Sequence, residues 1–346
     1  MAKFPFEIAV GFMTETVADT YNATLEAITT SWTAAAGLIL GDPESGIGES
    51  GLSLTIGRSK RDKAFLSGSF TRSLSDFLKA EVPSFEFSFP FCGSRITVPG
   101  APLDIDAVPI VGLSALLNGA GLAGPSVWGA GVGERFVFGS PLPISALIFY
   151  NGNRIRLQGC RCALSIEYTP GSIAIATATI EASQVLAPTV AAIPSTLTYG
   201  EQASVSAPVV QAVANAWQET RGFEELTLSI EPTFEDFPDS NAPTGTIKEQ
   251  SDRETKISAR LFSDDADKGY DLEQILATTS GELDTLTFQV GPNMTTGNPA
   301  VAHQVNVPQP ELLTTSPQKL GTKAGTEIEL AARHTTANFE LEIIFR

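Results

Sequence analysis

Apolar and polar residues alternate with a period of two along much of the chain, and this pattern predicts β-strands with one apolar face. The clearest segments are 53–56 (SLTI), 85–89 (FEFSF), 226–230 (LTLSI), 285–290 (TLTFQV) and 339–345 (FELEIIF). The 22 prolines and 30 glycines suit many short strands joined by turns. The sequence therefore predicts a mainly β protein.

Segments with helical periodicity are few and short. Residues 73–80 (SLSDFLKA) and 270–279 (YDLEQILATT) each have an acid near the start, where the helix dipole favours negative charge. Residues 208–222 place apolar side chains on one helical face and stop at a glycine, and residues 16–28 show a weaker helical pattern. We expect short helices that flank the strands.

The order of these elements repeats along the chain, which predicts a duplicated domain. The matched segments are 51–61 with 225–236, 63–93 with 256–291 (strand, short helix, strand) and 163–180 with 328–345 (a hairpin around a polar turn). The Pro/Ala-rich residues 184–200 predict an exposed connection. We therefore predict two tandem β-sandwich or half-barrel domains, 1–188 and 189–346, each with a short flanking α-helix.

Gly119, Gly121 and Gly124 have the spacing G-x-G-x-x-G of a dinucleotide-binding loop. Such a loop needs a helix directly after the glycines, so that backbone N–H groups meet the pyrophosphate. Here Pro125 follows at once, three more glycines come soon after, and no acid lies at the ribose-binding distance. We expect these glycines to end a short helical turn in backbone conformations with positive φ.

The chain is acidic, with a net charge of −17, which argues against a protein that binds the phosphate backbone of nucleic acids. Residues 1–188 hold 12 basic and 16 acidic side chains (−4), and residues 189–346 hold 10 and 23 (−13). A solvated acidic surface is the simpler interpretation of this imbalance.

Motifs for catalysis or metal binding are missing from the sequence. His303 and His334 have no motif partner and are predicted to be surface or turn residues. Residues 262–273 resemble a calcium loop but lack the EF-hand positions, so a solvated loop is favoured. Cys160 and Cys162 lie along one apparent strand, and the odd total of three cysteines argues against a disulfide framework. We predict no enzyme activity, cofactor or metal.

The N-terminus has an early proline and a glutamate, so it does not have the pattern of a signal peptide. No stretch reaches the roughly 18 apolar residues of a membrane span. These features, with the cysteine usage, predict an origin in a reducing cytoplasm.

Residues 106–182 resemble the tail tube proteins of bacteriophages with long, non-contractile tails. The resemblance rests on Leu116, Leu117, Gly119 and Gly121, on Ser140–Pro141, on the turn Tyr150–Asn151–Gly152, and on Gly159 before a hairpin through Thr169–Pro170–Gly171. Residues 138–140 depart from the family pattern, because they lack the tyrosine of the family's Tyr-x-Pro-like strand end.

The resemblance implies a structural virion protein that assembles into stacked rings around a lumen through which DNA is ejected. A duplicated domain implies a homotrimer that forms a pseudo-hexameric ring, with tail terminator, distal tail and tape measure proteins as further partners. It also implies assembly in the bacterial host cytoplasm and location in the virion tail. The alternatives are a distal-tail or baseplate ring protein of the same fold, or a monomeric protein with tandem β-sandwiches that is a binding module or decorates the virion surface.

Two unlike loops are the candidate sites for ring stacking. The segment 57–63 is short and basic, with Arg58, Lys60, Arg61 and Lys63. The segment 231–254 is long and begins with Glu231, Glu235, Asp236 and Asp239. In the family's fold such loops project toward the neighbouring ring, so we expect at least one of them to contact an oppositely charged surface of that ring. The alternative is that both are exposed hairpin loops without a partner.

Overall fold

The computed structural model describes part of the chain, and its strands and helices are as follows. The described residues are 8–27, 37–41, 53–55, 58–61, 77–80, 84–91, 93–95, 107–109, 113–128, 133–150, 153–170, 172, 174–190, 211–212, 223–238, 246–262, 285–290, 303–333 and 340–345. The helices are α1 (Thr24–Ala27) and α2 (Leu113–Gly119). The strands are β1 (Ile8–Thr14), β2 (Gly37–Gly41), β3 (Ser53–Thr55), β4 (Arg58–Arg61), β5 (Phe77–Ala80), β6 (Ser84–Pro90), β7 (Gly93–Arg95), β8 (Ala107–Pro109), β9 (Leu122–Trp128), β10 (Gly133–Phe138), β11 (Ile144–Tyr150), β12 (Asn153–Tyr168), β13 (Ile175–Glu181), β14 (Gln184–Val190), β15 (Gln211–Ala212), β16 (Phe223–Pro238), β17 (Thr246–Phe262), β18 (Leu286–Val290), β19 (His303–Val307), β20 (Pro310–Leu320), β21 (Lys323–Ala332) and β22 (Glu342–Phe345).

Two antiparallel sheets form the body of the protein, which is mainly β, as the sequence predicts. The larger sheet has 12 strands, with the path β2-β1-β11-β12-β16-β17-β21-β20 and with β13, β14, β6 and β3 as branches. The smaller sheet has six strands in the order β15-β18-β19-β22-β10-β9. Tyr168 of the larger sheet packs edge-on against Phe288 of the smaller one, with ring centroids 4.9 Å apart. The two sheets therefore share one core.

Strand β12 connects the parts of the larger sheet because it changes neighbours along its length. Its first part pairs with β11 and β14, and its second part with β13 and β16. Gly159 lies at the change, with a φ of +61°, and an added Cβ there would overlap the side chains of Asp19 and Ser183. Only glycine fits this conformation and this close approach.

Helix α2 and the turn after it confirm the predicted role for Gly121, whereas Gly119 is the last residue of the helix and Gly124 lies in β9, neither with a positive φ. Leu113, Leu116 and Leu117 are fully buried, and the Ala120 N–H donates to the Leu116 carbonyl at 2.9 Å. Gly121 ends the turn with a φ of +88°, and the chain then enters β9 instead of a helix. This motif is a helix end.

The period-two pattern located the strands correctly. Strands β3, β6, β16, β18 and β22 overlap the five predicted segments. In β16 the side chains of Leu226, Leu228 and Ile230 are buried, while those between them are partly exposed. Full burial of each such side chain contributes about 1.5–3 kcal/mol, which explains why the alternation fixes the inward face.

Two predicted helices are wrong in their described residues. Residues 77–80 of the predicted helix 73–80 form β5, and Gln211–Ala212 of the predicted helix 208–222 pair with β18. Pairing with a neighbouring strand overrides weak helical periodicity in short segments. The segment 270–279 lies outside the described residues, and α1 is the one described turn of the helix expected in 16–28.

The strand pairing does not reproduce the predicted repeat. Residues 163–180 form the expected hairpin of β12 and β13, whereas 328–345 contribute β21 to the larger sheet and β22 to the smaller one. The matched strands β6 and β18 also lie in different sheets. Residues 184–190 of the expected connection form β14. Both sheets contain strands from each side of residue 188, and the division into 1–188 and 189–346 stays a prediction.

Candidate functional site: an acidic arm and the cleft beside it

Strands β16 and β17 form a long hairpin that extends past the body of the larger sheet. Strand β17 pairs with β16 along its whole length, whereas β12 pairs with β16 only as far as the pair Leu164 and Ile230. Beyond Ile230, β17 is the one described partner of β16. Residues 231–238 of β16, paired with 246–254 of β17, are called the acidic arm below.

The acidic arm brings like charges together across the two strands. Glu231 lies opposite Glu254, and Glu235 lies opposite Glu249; the four residues are exposed. The Nζ of Lys256 lies 3.0 Å from a carboxylate oxygen of Glu254, but no ion pair to Glu235 or Glu249 occurs within the described ranges. Directly opposed like charges destabilise a strand pair, so these two pairs weaken the arm, whereas the opposed residues Asp236 and Lys248 carry opposite charges.

The tip of the arm also exposes apolar surface. The Phe237 side chain is 41% exposed, next to Pro238 at the end of β16. Aromatic side chains are enriched in protein–protein interfaces, so this ring is a candidate contact with another protein.

Two basic residues hold the arm against the rest of the protein. The Nζ of Lys248 lies 3.3 Å from Glu181 Oε2 at the end of β13. Arg253 Nη2 donates to Glu340 Oε2 at 2.7 Å, and its Nη1 donates to the Gly139 carbonyl at 3.3 Å. The arm is therefore fixed near its tip by Lys248 and at its base by Arg253, while the four opposed glutamates stay exposed.

The structure corrects the predicted loops and separates the two sets of charges. Glu231, Glu235 and Asp236 lie in β16, not in a loop, because β17 supplies a partner strand that the sequence pattern did not reveal. Arg58, Lys60 and Arg61 form β4, which pairs with β5 in a separate two-stranded sheet. Lys63 and Asp239 lie outside the described residues.

A cleft of about 550 Å³ lies between the arm and the outward face of β12, β13 and β6. Its polar lining consists of hydroxyl groups, carboxylates and one guanidinium, beside one aromatic ring. These residues are Ser165, Thr177, Thr179, Thr233, Glu86, Glu181, Glu231, Arg161 and Phe234.

Arg161 is the unusual residue of this cleft, because it is a buried cation without a carboxylate partner in the described part of the chain. Its side chain reaches only carbonyl oxygens, those of Cys160 and Lys248, each at 3.4 Å. The residue is 7% exposed, and its Cζ lies 5.8 Å from the Phe234 ring centroid. Burial lowers the pKa of the guanidinium, while the carboxylates of Asp19 and Glu15 act in the opposite direction.

A buried polar network lies near the Gly159 turn. Glu15 Oε1 accepts from the Gly159 N–H at 2.8 Å and from the Ser145 hydroxyl at 3.0 Å, whereas Oε2 has no partner among the residues that the structure describes. Burial raises the pKa of Glu15. Ser145 Oγ accepts in turn from the Asn22 N–H at 2.8 Å. No sequence pattern indicates this network, because its members are far apart along the chain.

His303 is buried, and the prediction of a surface or turn residue is wrong for it. It is 2% exposed in β19, between the rings of Phe91, Tyr168 and Phe345. Its Nε2 has no hydrogen-bond partner in the described part of the chain, and burial lowers its pKa to about 3. The alternation of residues 303–307 signals a strand with His303 on its inward face. His334 lies outside the described residues.

Cys160 and Cys162 are both buried free thiols in β12, and burial raises the pKa of each. A buried neutral thiol behaves as a small apolar side chain. No group of three or more potential metal ligands occurs among the described residues. No described helix is long and apolar enough to cross a membrane.

No protein-family model matches the sequence, and a search of curated proteins returns no significant relative. The resemblance of residues 106–182 to tail tube proteins therefore stays a prediction from its motifs.

Proposed function

We propose that this protein is a structural virion protein that assembles into stacked rings, which form the hollow tail tube of a long-tailed bacteriophage. The observation that carries the proposal is the acidic arm, where opposed carboxylates and the exposed Phe237 form a surface that a partner would complete. The motifs of residues 106–182 suggest that the partner is another copy of the chain or another tail protein.

Open sheet edges favour assembly into a ring. Strands β2 and β20 end the main path of the larger sheet. An edge strand presents unpaired N–H and C=O groups, and pairing with the next copy would satisfy them. Closure around a ring then joins the sheets into a continuous barrel.

The charge of the chain suits a conduit for DNA. A net charge of −17 repels phosphates, so DNA passing through an acidic lumen would not stick to its wall. In this proposal DNA is a passing polymer and not a bound ligand. The protein would lie in the tail of the virion, after assembly in the bacterial cytoplasm.

Electron microscopy of negatively stained, purified protein tests the proposal directly. We expect tubes or rings, and native mass spectrometry is expected to show three chains per ring. Isolated single rings that never stack would favour the distal-tail or baseplate alternative. A dispersed monomer under all conditions, including high protein concentration, would contradict both ring proposals.

A binding or decoration protein is the second candidate, and the cleft beside the arm favours it. A cavity of about 550 Å³ falls in the size range of ligand pockets, roughly 300–1,000 Å³. A ring protein has no evident need for such a cleft.

A further inference from the structure

The cleft between the acidic arm and strands β12 and β13 has the donors and acceptors of a sugar-binding site. We propose that it binds a neutral carbohydrate of one or two sugar rings. The inference goes beyond the proposed assembly function and does not depend on it.

Arg161 is the first argument for a ligand. A guanidinium has five N–H donors, and among the described residues only two long contacts to backbone carbonyls use them. A buried cation without a carboxylate partner is unfavourable unless other groups replace its lost hydration. Because Arg161 lines the cleft, ligand oxygens can supply the missing acceptors.

The carboxylates decide the class of ligand. Glu181 is paired with Lys248, but Glu86 and Glu231 still outnumber the single guanidinium in the lining, so the cleft disfavours phosphate and carboxylate ligands. A sugar hydroxyl both donates and accepts, and it can therefore bond to a carboxylate and to a guanidinium in one site. A neutral polyhydroxyl ligand satisfies both kinds of group without bringing in a charge.

The remaining lining residues fit the same ligand. The Thr179 hydroxyl donates to Glu86 Oε2 at 3.4 Å, and Thr177 Oγ1 lies 2.9 Å from Ser88 Oγ, so these groups are held in place on the sheet. Phe234 adds an apolar ring against which the C–H face of a sugar can pack. Its position on the arm places the ring across the cleft from the hydroxyl groups of the sheet.

Saturation-transfer NMR of the full chain tests the proposal, with glucose, galactose, N-acetylglucosamine and maltose as probes. We expect transfer to at least one of them. Arg161→Met should weaken that binding by about tenfold or more, because the guanidinium is buried, and Thr179→Val, at an exposed position of the lining, should weaken it by about threefold. Thr314→Val is the matched control, because Thr314 Oγ1 makes a similar contact with Glu329 Oε2 at 3.5 Å outside the cleft.

Thermal unfolding shows whether each variant is folded, and Phe234→Leu replaces Arg161→Met if the latter is not. Absence of binding by the whole panel would overturn the proposal, as would equal binding by wild type and the cleft variants. Binding of inorganic phosphate without any sugar would overturn it as well. Ring or tube formation is scored separately by electron microscopy, so failure of one proposal leaves the other intact.

Discussion

The guanidinium of Arg253 in β17 lies over the ring of Phe138 in β10, with its Cζ 3.5 Å from the ring centroid. The same side chain donates to Glu340, which precedes β22. One arginine of the larger sheet therefore joins the base of the acidic arm to the smaller sheet.

Replacement of Arg253 by alanine should lower the free energy of unfolding by about 1–3 kcal/mol, because it removes a cation–π contact and leaves the buried Glu340 carboxylate with less compensation. Chemical denaturation measures this. Arg260→Ala is the control on the same strand, since its pair with Glu225 is exposed and is worth only about 0–1 kcal/mol. Equal losses in the two variants would contradict the joining role.

His303 should make the protein lose stability in acid. Its pKa is about 3 in the folded protein and about 6.5 in the unfolded chain, so only the unfolded chain takes up a proton between these values. Stability then falls as pH drops from about 6.5 toward 3, by about 1.4 kcal/mol per pH unit.

Urea denaturation at several pH values, with wild type and His303→Phe, measures this effect. In the His303→Phe variant the free energy of unfolding should fall less steeply with decreasing pH than in wild type, and His334→Gln should keep the wild-type slope. A His303→Phe slope equal to that of wild type would show that protonation of this residue does not oppose folding.

Glu15→Gln should become more stable relative to wild type as pH rises, because it removes a buried carboxylate. Burial raises the pKa of Glu15, so its contribution to stability is largest in acid and is lost as pH rises through the folded-state value. Glutamine keeps the oxygen that Gly159 and Ser145 contact and carries no charge. The gain should shrink in acid, as measured by thermal unfolding. Glu26→Gln is the contrast, because it weakens two ion pairs with Arg154 and Arg156 and should destabilise.

Gly159→Ala should destabilise far more than Gly321→Ala, although the two glycines have φ values of +61° and +60°. The backbone strain of about 1–2 kcal/mol is common to both. At Gly159 an added Cβ would also lie 2.6 Å from Ser183 Oγ, whereas nothing lies within 4 Å at Gly321. Melting temperatures of the two variants measure the difference, and similar values would show that the sheet relaxes around Gly159.

Reversal of the basic segment tests the proposed stacking of rings. Arg58→Glu, Lys60→Glu and Arg61→Glu together should shorten tubes or lower their yield at low salt, because opposed charges between rings become like charges. Adding Glu231→Lys and Glu235→Lys should restore assembly if the two sets meet. Each exposed pair is worth little, so the effect depends on repetition around the ring and should weaken at high salt. Unchanged tube length and yield at both salt concentrations would rule out this contact.

The sequence by itself determined the mainly β fold, the inward faces of its strands and the glycine end of helix α2. These features follow from local rules: alternation sets which side chains of β16 are buried, and Gly121 adopts a φ that other residues avoid. Such rules act within a few residues, so they can be read from a short window of sequence.

Only the tertiary structure decided which strands pair, and with this the candidate site. The pairing of β16 with β17 placed Glu235 opposite Glu249, and the neighbours of β12 buried Arg161 beside the cleft. The same long-range contacts turned residues 77–80 into a strand and enclosed His303 in aromatic rings. Pairing depends on the fit of segments far apart in sequence, and the free energy of that fit exceeds the weak local preferences that a single sequence displays.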